Sequence, residues 1–169
     1  METELFVHFA EIAGVFVGFG ALISLRSAPL SDAHDAVYLR AVLALGVWVV
    51  ICGLVPIAVS RYGVHGHALW LPCAVAALCL WGVLLASLAR TGESRQINRS
   101  PERVDRLFPL VGLPLHVVIA GSLALVLVGS WPGSEEALYV TALTAGVVFA
   151  GYTLLTLVMS QRTTPGPGA

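Results

Sequence analysis

Glu11 stands inside the first long apolar run of this chain, where a carboxylate calls for a chemical explanation. On a membrane-spanning helix an acidic side chain costs roughly 2.5–3.5 kcal/mol at the bilayer centre on insertion scales, and it seldom faces lipid. Turned instead to water or to protein, it can hold a cation or pass on a proton. At about 100° per residue, Ala10, Glu11, Gly14, Gly18 and Ala21 fall within an arc of about 100°, with Phe6, Phe9, Phe16 and Phe19 broadly opposite. Glu11 therefore belongs to a seam containing Gly14-x-x-x-Gly18, the small-residue spacing that lets helices approach closely. The aromatic side is expected to meet lipid or another helix. The plainer reading of Glu11 is structural. About six residues into its run, roughly 9 Å below the edge, it could reach headgroups or bond Thr141 or Thr144 of the last run, which sit at similar depth.

His116 is the second titratable group in apolar surroundings. Pro114 lacks an N–H, so the Leu110 carbonyl four residues earlier loses its helical donor, and a neutral imidazole nearby can supply one. The functional alternative is a titrating partner in a proton path. By helix rise His116 and Glu11 differ in depth by about 8 Å, so a bridging water suits them better than direct contact.

The remaining polar constellations are weaker. Asp32, His34 and Asp35 read as helix-start residues, and His65 and His67 as a solvated turn. A metal site on the turn would need Glu135 or Glu136 to join it, and no set completes a ligand shell, so no metal or other cofactor is expected. Cys52, Cys73 and Cys79 lie in apolar runs without C-x-x-C spacing and read as small hydrophobes. No G-x-S-x-G, H-E-x-x-H or phosphate-cradling glycine loop occurs, and no enzymatic activity is expected.

Five apolar runs must position these side chains. With 57 % hydrophobic and 11 % charged residues among 169, the chain is too apolar for a soluble domain. A membrane-spanning helix takes roughly 20 apolar residues. Residues 5–25, 37–60, 68–89, 107–129 and 137–160 meet that length, which predicts an all-α, five-transmembrane-helix bundle as a single domain over residues 1–162. Residues 163–169, rich in Pro and Gly, read as a disordered tail. The chain opens Met1-Glu2-Thr3-Glu4, unlike the basic start of a signal peptide, so the first run reads as a mature helix. Trp70, Trp131 and Tyr139 are expected at the outer headgroup level, where amphipathic rings prefer to lie. A short interfacial helix starting at Ser100-Pro101-Glu102 should lead into the fourth span and bend at Pro109.

The charge of the loops is lopsided. Arg26 and Arg40 flank the first gap, Arg90, Arg95, Arg99, Arg103 and Arg106 fill the basic loop 90–106, and Arg162 follows the last span. Arg61 alone lies on the other side. Short Arg-rich loops stay cytoplasmic, which predicts an outside N-terminus and a cytoplasmic C-terminus. The absence of Lys beside abundant Arg, Ala and Gly suggests a bacterial inner-membrane protein. The Arg90–Arg106 group can also bind anionic lipid, at roughly 1 kcal/mol per Arg near the surface. Nucleic acid is not expected as a partner, because the segment is short, tethered and free of interleaved aromatics.

Together these features suggest a homo-oligomeric, channel-like protein conducting monovalent cations or protons. Glu11 would form a ring near the outer mouth, Gly14 and Gly18 would line or pack the path, and His116, Thr141 and Thr144 would lie along it. The alternative is a non-conducting assembly or regulatory subunit, whose glycine seam docks a membrane-protein partner and whose basic loop binds lipid. A substrate transporter fits less well, for want of a midplane polar pocket and repeated halves.

Overall fold

The computed structural model describes residues 3–26, 33–90, 103–131 and 133–163. The described residues form five helices, α1 (Thr3–Arg26), α2 (Ala33–Ser60), α3 (His67–Arg90), α4 (Arg103–Val128) and α5 (Glu135–Thr163), and no strand. All five are long and apolar enough to cross a membrane, so this is an all-helical, multi-pass membrane protein. The expected runs coincide with them, each helix extending past its run at one or both ends. Residues 27–32, with Asp32 of the expected helix start, the tail beyond Thr163 and the helix start at Ser100-Pro101-Glu102 lie outside the described residues. α4 continues as one helix through Pro109 and Pro114.

α2 and α5 form the centre. α1 packs on α2 and α5, α3 on α2 and α4, and α4 on α5. α1 and α2 approach closely at Gly46 and Gly53 of α2 and at Gly20 of α1, whose added Cβ would stand 3.1 Å from Leu43 Cδ2, and not at Gly14 or Gly18. A Cβ on Gly46 would stand 2.6 Å from Val17 Cγ2 and 3.2 Å from the Ala13 carbonyl oxygen. One on Gly53 would stand 3.1 Å from the Phe6 carbonyl oxygen. Gly146 of α5 does the same for α2, leaving room for the Trp48 ring, whose Cζ3 would lie 2.7 Å from an added Cβ. With no hydrophobic force between helices in lipid, such backbone-to-ring contacts are what hold a bundle together.

Two aromatic layers fill the interior. Near the Arg61–Gly66 turn, Phe6, Trp70 and Tyr139 stack with ring centroids 5.4–6.2 Å apart. All three are buried. Trp70 and Tyr139 thus turn into the bundle instead of presenting their rings outward; of the three expected interfacial rings Trp131 is the exposed one. The reason is a polar obligation. Pro56 has no N–H for the Cys52 carbonyl, and the Tyr139 hydroxyl donates to that oxygen at 2.8 Å. The phenol is held inward by the carbonyl that the proline leaves bare.

The second layer runs Trp48, Trp81, His116, Phe149, with successive centroids 5.1, 5.1 and 4.9 Å apart. Trp48 donates its indole N–H to the Ala77 carbonyl at 3.0 Å, tying α2 to α3. Glycines with positive φ make the turns: Gly63 (+75°) follows α2, and Gly129 (+63°) closes α4.

Candidate functional site: the outward face of α1

The rotation of α1 in the bundle decides which of its faces is covered. Phe6, Ala13 and Gly20 point into the protein, and Phe9 and Phe16 are half-buried beside them. The aromatic side therefore meets other helices; only Phe19 is exposed. Glu11, Gly14, Gly18 and Ala21 all point away from the bundle, and a Cβ on Gly14 or Gly18 would meet nothing within 4 Å. Among the described residues nothing covers the Gly14-x-x-x-Gly18 seam. Val7, Ile12, Val15 and Leu22 surround it with exposed apolar side chains.

Glu11 has a partner that the sequence reading missed. His8, one turn earlier, lies with its Nδ1 3.1 Å from Glu11 Oε2, and both side chains are about two-thirds exposed (67 % and 66 %). The i, i+3 spacing was the available signal, since residues three apart share a helix face. The apolar span of α1 runs Thr3–Ser24, which places Glu11 roughly 12 Å from one end and 20 Å from the other. An imidazole–carboxylate pair is chemically versatile. With His8 protonated it is an ion pair; with His8 neutral it is a hydrogen-bonded acid–base couple able to hold a proton or a small cation. Against hydrocarbon either form is costly.

The other residues of the expected path are not gathered here. Thr141 and Thr144 are exposed on α5 and donate to their own helix, to the Ala137 carbonyl at 2.8 Å and the Val140 carbonyl at 2.9 Å. His116 is half-buried between the Trp81 and Phe149 rings. Its Nδ1 lies 2.7 Å from the Gly112 carbonyl oxygen, rather than the Leu110 oxygen that Pro114 frees. A carbonyl can only accept, so Nδ1 carries a proton and donates to it. The buried hydroxyls of Thr153 and Thr156 likewise bond back to the Phe149 and Tyr152 carbonyls. The chain matches no family model, no curated protein and no solved structure. The function must therefore be argued from the geometry.

At the turn end, His67 Nδ1 stands 3.6 Å from Glu135 Oε1, while Glu135 Oε2 accepts from the Gly133 N–H at 2.8 Å. The turn and the α4–α5 loop are thereby joined. His65 is exposed, and no group of three or more His, Cys, Asp or Glu among the described residues could hold a metal ion. Of the basic group, Arg90 is exposed at the end of α3. Arg95 and Arg99 lie outside the described residues, as do the side chains of Arg103 and Arg106.

Proposed function

We propose that this protein acts as a membrane oligomer assembled through the outward face of α1, and that the acidic surface so enclosed conducts monovalent cations or protons. One observation carries the reading: the His8–Glu11 pair and the bare Gly14/Gly18 backbone share one exposed face inside a helix long and apolar enough to span. A polar pair at that depth is poorly tolerated by hydrocarbon, and small residues beside it permit another helix to close over it. Conduction through one chain has no support, because its interior is filled by aromatic rings and its buried threonines are satisfied within their own helix. A path between copies puts the carboxylates around a shared axis, where a ring of acids concentrates cations. An inner-membrane location with the N-terminus outside belongs to the same reading and rests on the arginine distribution.

The second reading is a non-conducting subunit whose α1 face docks a helix of another membrane protein. Its support is the His8–Glu11 contact itself, since a pair already satisfied within one helix needs no water-filled axis. Liposome flux separates the two. With purified protein we expect cation- or proton-selective flux that falls at least about tenfold in Glu11→Gln, the loss of charge corresponding to 1.4 kcal/mol or more in the barrier. Equal flux from wild type and Glu11→Gln would remove the conduction reading. A particle of one copy that co-purifies with another membrane protein would favour docking.

A further inference from the structure

A lipid-facing groove between α2 and α3 lies apart from the α1 face and ends at two arginines. It has a volume of about 380 Å³ and is lined by Leu43, Val47 and Ile51 of α2 and by Leu80, Val83 and Ser87 of α3, with Trp48 at its floor. From Leu43 to Ile51 it runs roughly 12 Å along the helix axis. Its walls are almost wholly apolar, and the Ser87 hydroxyl donates to the Leu84 carbonyl at 2.7 Å, so no side-chain donor is left over inside it. Such a cleft suits a hydrocarbon chain.

The helical register places a charge at one end of each wall. Arg40 precedes Leu43 by three residues and Ala44 by four, and Arg90 follows Ser87 by three, so each arginine continues the groove-lining face of its helix by one turn. α2 leads away from this end and α3 returns to it, so both arginines stand at the same end of the bundle, and both are exposed. The apolar span of α3 ends at Ser87 and that of α2 begins at Ala36. Arg90 thus lies one turn beyond the apolar zone, and Arg40 one turn inside it, within reach of the interface for a long flexible side chain. A guanidinium fork matches phosphate oxygens in geometry and charge.

We infer that this groove is a binding site for an anionic phospholipid, with one acyl chain against Val47 and Val83 and the phosphate held between Arg40 and Arg90. The charge pair selects an anionic headgroup over a zwitterionic one, and the apolar walls select a lipid over a soluble phosphate. The site is independent of the α1 face and stands or falls separately from conduction.

Trp48 supplies the test. The full-length protein carrying Trp131→Phe, which removes the exposed indole outside the groove, is placed in phosphatidylcholine vesicles containing phosphatidylglycerol with brominated acyl chains, and tryptophan quenching is compared with that by brominated phosphatidylcholine. The expected result is preferential quenching by phosphatidylglycerol. That preference falls about fivefold for each of Arg40→Gln and Arg90→Gln, the loss corresponding to roughly 1 kcal/mol per arginine. It is retained in part in Arg40→Lys, which keeps the charge but not the fork, and lost in Val83→Phe, which fills the groove from an exposed position while leaving both arginines in place. Undiminished preference in the double Arg→Gln variant would overturn the site. So would a preference that Val83→Phe leaves untouched, since the headgroup would then be attracted without the groove. A change of subunit number in Val83→Phe would identify the occupant as a second copy and overturn it too.

Discussion

The Cys52 carbonyl is the point at which one residue's chemistry explains another's place. Pro56 strips it of a helical donor, and Tyr139, eighty-seven residues away in sequence, restores one. Leaving a buried acceptor bare costs roughly 1–3 kcal/mol, though single hydrogen bonds in membrane bundles tend to the lower end. Tyr139→Phe should therefore lower unfolding stability in detergent by about 1 kcal/mol. In a Pro56→Ala background the helix supplies its own N–H, and the same substitution should cost less than half as much. An equal loss in both backgrounds would mean that the phenol is held by ring packing alone. The proline at 56 was legible as a broken helical bond, but nothing in the sequence said which side chain would mend it. At His116 the same logic misjudged the acceptor: the imidazole bonds Gly112, because its ring is steered by Trp81 and Phe149 rather than by the gap that Pro114 leaves.

Between elements, glycines divide into those that are already used and those that are not. Gly46 and Gly146 are in contact, and an added methyl would meet Val17 or Trp48 well inside van der Waals distance. Gly46→Ala should lower the stability of the single chain by about 1–3 kcal/mol, as overpacked cores do. Gly14→Ala and Gly18→Ala should leave it unchanged or slightly raise it, because alanine favours helix by about 1 kcal/mol and nothing stands in the way. If the α1 face is an interface, the bulkier Gly14→Leu and Gly18→Leu should shift the particle to a lower subunit number on sizing in detergent. Loss of monomer stability in Gly18→Ala would contradict the open seam. The spacing Gly14-x-x-x-Gly18 was visible in the sequence, as was its shared face with Glu11. The packing glycines of α2 were not singled out, since seven-residue spacing between Gly46 and Gly53 has meaning only once α1 is known to lie across them.

For the molecule as a whole, the five helices able to span follow from apolar length, and the orientation is a matter of charge. Tyr62 sits in the short turn after α2 and is 86 % exposed, which makes it a suitable reporter. With the arginine-rich loops inside, Tyr62→Cys should react with a membrane-impermeant maleimide in spheroplasts and be protected in inside-out vesicles. Labelling with the opposite sidedness would invert the topology without altering the bundle. The sequence by itself determined the class of protein and the number of spans, because burying backbone polar groups in hydrocarbon leaves helices of about 20 apolar residues as the economical solution. It also singled out Glu11, because a charge among apolar neighbours is conspicuous at any rotation. Only the tertiary structure decided which way α1 turns, which tyrosine meets which carbonyl, and that a groove between α2 and α3 ends at two arginines. Those depend on interlocking of rings with glycines from distant segments, and such contacts have no periodicity along the chain.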